Sequence, residues 1–246
     1  NIVSINKCAV LDEVFADVFT LFDGLIYQHK ALHSISHLQL CQSDDKNFVV
    51  IRHTKAINDD TKALVEHITK SQQFEIVWQS ESDAIEHSHL AMPFYYLKEF
   101  DLKFEFGLGN FIQVNAQVNE AMLKQAANWL DLKGDENLLD LFCGIGGFRL
   151  GIEQSMSDAA ECVFSSDFNK SVCESYSLNF NDFPLSDITE INEKQIPDHD
   201  LLCAGFPCQP YSRANKFKTP VDPRLNLFEN CIEVINTVNP KFFILE

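Results

Sequence analysis

Long apolar runs are missing from this 246-residue sequence: none approaches the roughly 18–20 residues that a bilayer-spanning helix needs, which excludes such a helix. No two of the eight cysteines (Cys8, Cys41, Cys143, Cys162, Cys173, Cys203, Cys208 and Cys231) form a Cys-x-x-Cys pair. A zinc site or thioredoxin-type redox motif is therefore not expected, and no metal is assigned. Their scatter over apolar segments fits reduced thiols in a cytoplasm. Internal repeats and low-complexity stretches are also absent. Positive charge is scarce: 19 Lys and Arg face 36 Asp and Glu, for a formal charge of −17. Phosphate binding relies on Lys and Arg, so charge alone counts against tight nucleic-acid binding by this chain. Asn1–Lys7 has neither an initiator Met nor a signal-peptide layout, and Lys241–Glu246 reads as a buried strand cut off at its end. The expectation is a fragment with both ends missing.

What is present is a hydrophobic fraction of 46%, enough for a real core. Residues 1–106 read as a smaller mixed α/β domain. Leu11, Val14, Phe15, Val18 and Phe22 repeat at helical spacing, strand-like runs lie at 37–40, 47–51 and 74–78, and a helix covers 60–72. Two further strands, 94–97 and 102–106, lead to Gly107-Leu108-Gly109, the expected domain boundary. Residues 107–246 alternate helix and strand. Asn115 is placed to cap a helix whose one face is Val118, Met122, Ala126, Trp129 and Leu130, ended by Gly134. Strands come next at 138–142, 161–165, 184–185 and 201–204, with helices from about 148 and over 169–180. Leu225, Phe228, Ile232, Ile235 and Val238 mark a last helix, stopped by Pro240 before the final strand. Near-continuous apolar strands separated by helices predict a parallel, doubly wound α/β sheet, here incomplete.

In such sheets ligands bind beyond the carboxyl ends of the strands. The first such end is Phe142-Cys143-Gly144-Ile145-Gly146-Gly147-Phe148, where glycines permit a tight turn and close approach to a ligand. A dinucleotide fingerprint would want glycine at 149, where Arg149 stands, so a nucleoside cofactor without phosphates fits better and an NAD-dependent dehydrogenase is disfavoured. At the second end Asp167 is placed to accept hydrogen bonds from ribose hydroxyls and Phe168 to stack on adenine, although Asp167 would serve equally as a helix cap. Asp187-Ile188, after the third strand, offers an acceptor for the adenine amine. Gly205-Phe206-Pro207-Cys208-Gln209-Pro210-Tyr211-Ser212 comes after the next strand. Cys203, inside that strand, reads as apolar filler. Cys208 sits in a Gly/Pro-fixed turn facing the ligand crevice, with Arg213, Lys216, Lys218 and Arg224 nearby in sequence to favour its thiolate.

Residues 139–150, 196–209, 224–228 and Glu246 resemble motifs I, IV, V and VI of the DNA cytosine-5 methyltransferases, with Pro207-Cys208-Gln209 as the signature. The resemblance implies a Rossmann-like domain, S-adenosylmethionine as cofactor, and DNA as partner of a monomeric enzyme. It implies that Cys208 adds to carbon 6 of the base, with Pro207, Gln209, Arg224 and Glu246 completing the catalytic set. Glu246 would contact ring nitrogen 3. The cofactor would lie among Phe142, Gly144, Gly146, Asp167, Phe168, Asp187, Ile188, Gly205 and Leu227.

The chain before the glycine turn is similar to a different family. Asn110-Phe111-Ile112-Gln113-Val114-Asn115, the helix through Leu130, and Leu139–Gly146 resemble the RNA uracil-5 methyltransferases, and the similarity reaches back to Cys8. That family implies a cofactor contact for Gln113. It makes Cys8 the last ligand of an iron–sulfur cluster whose other ligands are not in this chain, so no cluster is expected. The family's serine–cysteine–asparagine nucleophile motif is absent, and Gly147 replaces its asparagine. The two resemblances meet at Leu139–Phe148, as in a chimera. The expectation is an S-adenosylmethionine-dependent DNA cytosine-5 methyltransferase. The alternatives are an RNA uracil-5 methyltransferase acting on ribosomal RNA, and an inactive cofactor-binding fragment.

Overall fold

The computed structural model describes residues 8, 11–80, 92–131, 133, 135–155, 160–211 and 222–246. Gly134, Ser212, Arg213, Lys216 and Lys218 lie outside them. The chain divides into two compact units, residues 1–95 and 96–246. Among the described residues no helix is long and apolar enough to cross a membrane.

The first unit begins with α1 (Val18–Gln28), whose Val18, Phe22 and Leu25 are buried. Strands β1 (Ile35–Gln42) and β2 (Asn47–His53) pair antiparallel across a tight turn closed by the Ser43 N–H on the Lys46 carbonyl, 2.8 Å. Helix α2 (Asp59–Thr69) then carries the chain to β3 (Glu75–Ser80), which pairs parallel with β2. The Asn58 side chain caps α2 by accepting from the Thr61 N–H at 2.8 Å, and Asp59 and Asp60 favour the positive end of its dipole. Phe15, Phe22, Leu32, Val49, Ile51 and Val65 form the core between helices and sheet.

Strand β4 (Phe94–Leu97) runs across the division, and in the second unit β5 (Leu102–Glu105) and α3 (Ala116–Leu130) precede the main sheet. Its strands are β6 (Asn137–Leu141), β7 (Glu161–Ser166), β8 (Leu201–Ala204) and β9 (Phe242–Leu245). They run in the order β7-β6-β8-β9 and every pairing is parallel, as the sequence predicts. Connections are made by α4 (Gly147–Ser155), α5 (Lys170–Phe180) and α6 (Leu227–Val238). One apolar layer, with Leu130, Leu138, Ile152 and Cys203, lies on one side of the sheet. Leu139, Leu141, Leu202, Cys231 and Val234 form the other.

Two expectations need correction. The strand expected at 184–185 is a single parallel bridge between Asp167 and Leu185, too short to pair further. Asn115 does cap α3, its Oδ1 accepting from the Val118 N–H at 3.0 Å. Of the predicted apolar face of that helix, however, only Leu130 is buried. Val118, Met122 and Trp129 are 51%, 45% and 76% exposed, while Leu130 is buried. Leu123, rather than that stripe, abuts Gly151 of α4.

Candidate active site

Parallel registers dictate where the strand ends fall. Leu141 pairs with Ser166 and with Ala204, and Ala204 pairs with Leu245. The next residues, Phe142, Asp167, Gly205 and Glu246, therefore emerge in one row along the carboxyl edge of the sheet. From β6 the chain goes on to β7 on one side and later returns to β8 on the other. The row thus spans the topological switch point, the ligand crevice of open α/β sheets.

On the β6–β7 side the backbone turns sharply, with positive φ at Phe142 (52°), Gly144 (57°) and Gly146 (94°). The two glycines serve different ends. A Cβ at Gly144 would meet only the Phe142 carbonyl at 4.0 Å, so the loop is open there. A Cβ at Gly146 would fall inside the Phe180 ring, so packing dictates that glycine. Asp167 accepts from the Gly144 N–H at 3.1 Å and the Asn169 N–H at 2.8 Å. Burial raises its carboxyl above the ordinary range, and these two amides pull it back. Phe168 beside it is 66% exposed. Asp187 accepts from the Thr189 N–H and hydroxyl at 2.9 and 2.7 Å. Ile188 and Leu227 are core residues. An open glycine turn, a carboxylate with lone pairs to spare and an exposed ring form a donor set suited to a nucleoside.

On the β8 side, the Phe206 ring packs against Phe228 at 5.4 Å and edge-on to Tyr211 at 6.3 Å. The Tyr211 N–H closes the turn onto the Cys208 carbonyl at 3.1 Å, and its hydroxyl donates to the Leu225 carbonyl at 2.5 Å. Cys208, flanked by Pro207 and Gln209, is thereby presented to solvent, and it alone of the eight cysteines is exposed. Cys203 is fully buried, and burial drives its thiol well above the ordinary range. Burial also lifts the thiols of Cys41, Cys173 and Cys231, each to about 11, and that of Cys162 to about 12. Arg224 is committed to Asp222 by two bonds of 2.9 and 2.7 Å. Among the described residues no group of His, Cys, Asp and Glu is placed to hold a metal ion; Cys8 is half-buried.

Gln113 reaches the same row: its Nε2 donates to Glu246 at 3.2 Å. The segment before it is anchored to α5. The Asn179 side chain exchanges two bonds of 3.1 Å with the Glu105 backbone, and Asn110 Oδ1 accepts from the Gly107 N–H at 2.7 Å and the Ser175 hydroxyl at 2.6 Å. Sequence reasoning named Asn110 within a motif but gave it no role, and it missed Ser175 and Asn179. Their partners lie 65–74 residues away, and local periodicity carries no trace of them.

Two family models meet in this chain. The one described as tRNA (Uracil-5-)-methyltransferase matches residues 14–191, well over half the chain. The one described as C-5 cytosine-specific DNA methylase matches residues 137–246. The 23S rRNA (uracil(1939)-C(5))-methyltransferase RlmD of Pseudoalteromonas translucida is 73% identical over 150 residues, covering 61% of this chain and 34% of the relative. The type II methyltransferase M.HhaI of Haemophilus parahaemolyticus is 47% identical over 108 residues, covering 44% of this chain and 32% of the relative. The chain thus spans about a third of the length of these relatives. Among solved structures, the Pyrococcus abyssi tRNA (uracil-54, C5)-methyltransferase in complex with S-adenosyl-L-homocysteine matches all of this chain and 60% of its own. Its TM-score is 0.64 at 17% identity, a likeness of fold. The expectation of cytosine methylation in DNA is overturned by the 73% identity to a ribosomal RNA uracil methyltransferase and the wider family match. The cytosine-5 motifs misled because that family's match is confined to residues 137–246, whereas the uracil-5 match takes in residues 14–191.

Proposed function

Because the chain belongs to the tRNA (uracil-5-)-methyltransferase family, we propose that it is the core of an S-adenosylmethionine-dependent methyltransferase acting on carbon 5 of uracil in ribosomal RNA. The observation that carries this reading is the 73% identity over 150 residues to a ribosomal RNA uracil-5 methyltransferase. The strand-end row supplies the parts the chemistry needs. S-adenosylmethionine, when bound, supplies an electrophilic methyl group. Asp167 would accept from its ribose hydroxyls, Phe168 and Phe142 would flank its adenine, and the open turn at Gly144 would let the backbone approach it. Asp187, Ile188, Gly205, Leu227 and Gln113 complete that assignment.

Carbon 5 of uracil is a poor nucleophile until a thiolate adds to carbon 6. Cys208, three residues past Gly205 of the row, is an exposed thiol. As its sulfur bonds carbon 6, the ring electrons shift to carbon 5 and oxygen 4, which makes carbon 5 nucleophilic. Once carbon 5 has taken the methyl group, loss of its proton and expulsion of Cys208 restore the carbon 5–carbon 6 double bond. Glu246 as a carboxylate accepts a hydrogen bond from uracil nitrogen 3, which carries a proton. Pro207 and Gln209 hold the turn, and Arg224 stands behind it on Asp222. The target must leave its stack to reach the thiol. This dependence favours the single-stranded loops in which RNA bases are splayed out.

The test supplies the chain with S-adenosylmethionine carrying a labelled methyl group and either unmodified 23S ribosomal RNA or cytosine-containing duplex DNA. Label is expected in RNA, at 5-methyluridine. Label in DNA, or an RNA product other than 5-methyluridine, would refute the reading.

A further inference from the structure

Arg149 stands where a dinucleotide loop has its third glycine, yet its side chain is only 15% exposed. Its Nε donates to Glu153 at 2.7 Å, and its Nη1 donates to the Tyr176 hydroxyl at 3.0 Å and to Asp182 at 3.4 Å. The same Asp182 oxygen accepts from the Ser165 hydroxyl at 3.0 Å, which ties β7 into the cluster. The guanidinium also lies over the Phe180 ring, 4.5 Å from its centroid. Phe180 in turn rests on Gly146. Its neighbour Asn179 donates to the Ile145 carbonyl at 3.3 Å. The last turn of α5 therefore grips the glycine loop at two consecutive residues, and Arg149 fastens that turn to α4 and β7. A planar guanidinium can fork to several oxygens while stacking on a ring, which an ammonium cannot. Withdrawing such a charge from water is costly, and an apolar residue would cover Phe180 at lower cost.

We propose that Arg149 is a positioning residue for cofactor binding: acting through Phe180, it holds the glycine loop at Gly144–Gly146 in the shape that accepts S-adenosylmethionine. This rests on the methyltransferase reading above. Arg149 touches the loop through Phe180 rather than reaching across the open side at Gly144, so its effect should appear in affinity.

The experiment compares the full chain with Arg149→Met, Arg149→Lys and Phe180→Leu. Amide hydrogen exchange is tracked by mass spectrometry, and S-adenosylhomocysteine affinity by calorimetry. Arg149→Met is expected to raise exchange across residues 143–150 about tenfold, leave β8 and β9 as in the parent, and weaken binding about tenfold. Phe180→Leu should reproduce both effects with Arg149 intact, and Arg149→Lys should recover less than half of the loss. Exchange that rises uniformly over the sheet would mark Arg149 as a general fold stabiliser and overturn the proposal. Unchanged loop exchange, or faster loop exchange with parent affinity, would overturn it too. If Arg149→Met does not fold, Phe180→Leu decides by the same criteria. A parent that binds no S-adenosylhomocysteine would instead defeat the methyltransferase reading, and loop exchange alone would then judge the link from Arg149 to the loop.

Discussion

Gln113 donates its side-chain N–H to the Glu246 carboxylate at 3.2 Å, joining positions 133 residues apart. One residue owes its assignment to the RNA uracil-5 resemblance and the other to the DNA cytosine-5 resemblance, yet the fold makes them neighbours. Anchoring of the 105–110 segment on α5 brings Gln113 to the sheet edge, and the β8–β9 register brings Glu246 there. If Gln113 orients Glu246 toward the target base, Gln113→Ala should lower kcat/KM on RNA about fivefold, the equivalent of one exposed hydrogen bond of about 1 kcal/mol. Glu246→Gln, which turns an acceptor into a mixed group, should cost more. Full activity of Gln113→Ala beside an inactive Glu246→Gln would make the contact incidental.

The cysteines predict a clean separation of chemistry from stability. Cys208→Ser should abolish the covalent adduct with RNA containing 5-fluorouracil and leave the denaturation midpoint unchanged, because the side chain is exposed. Cys203→Ser should do the reverse. It places a hydroxyl at a position with no exposed surface, at about 1–3 kcal/mol if the group stays unpaired. An adduct that survives in Cys208→Ser would remove that residue from the nucleophile role.

The parallel sheet was legible in the sequence because Leu138, Leu139 and Leu141, and likewise Leu201–Ala204, put apolar side chains on both faces, as strands covered on two sides must. The strand-end residues were legible for the same reason, since the point where a strand stops fixes which residue emerges at the sheet edge. The inner face of α3 was not. Val118, Met122, Ala126, Trp129 and Leu130 were read as one face, yet only Leu130 is buried, because helical periodicity defines a face without saying which edge of it meets a partner. Gly146 was read as a ligand contact, and the packing constraint that the Phe180 ring, 34 residues on, adds to it was not legible. Arg149 was read only as the absence of glycine. Its four partners are scattered from Glu153 to Asp182, and no local pattern collects them. Base and polymer were misread because the chemistry of carbon 5 is common to both families.

The exposed and buried edges of the predicted α3 face can be told apart directly. Trp129→Ser should change stability by less than about 0.5 kcal/mol, since the ring is 76% exposed. Leu130→Ala, one residue on, should cost about 2–5 kcal/mol, because Leu130 belongs to the layer with Leu138 and Ile152. Urea denaturation of both variants measures this. Equal losses would mean that Trp129 is covered.

Asp140 gives a prediction in pH. It is fully buried on β6. Burial raises its carboxyl well above the ordinary range, against partial relief from the Arg149 charge and from the Arg149 backbone N–H. With the folded pKa above the unfolded one, the native state holds the extra proton. The stability cost of Asp140 therefore grows as pH rises from the ordinary carboxylate range to the raised folded value, and persists above it. Asp140→Asn should melt higher than the parent at pH 7.5, by about 2–4 °C for each kcal/mol relieved. The difference should vanish toward pH 4. A parent that melts higher at pH 7.5 would show that attraction to Arg149 outweighs desolvation.

Three neighbouring glycines should respond to alanine in three different ways. Gly147 has nothing within 4 Å of a built Cβ, and it opens α4 with no positive φ, so Gly147→Ala should stabilise by about 0.4–1 kcal/mol through the unfolded chain. Gly144→Ala meets open space but must hold a left-handed φ of 57°, at about 1–2 kcal/mol. Gly146→Ala suffers both a φ of 94° and the Phe180 ring, and the ring cannot withdraw without releasing the Arg149 guanidinium stacked on it. It should be the most destabilised of the three. Denaturant midpoints give the order Gly147→Ala, parent, Gly144→Ala, Gly146→Ala. If Gly146→Ala were no worse than Gly144→Ala, Phe180 would be free to move, and the rigid link from Arg149 to the loop would not exist.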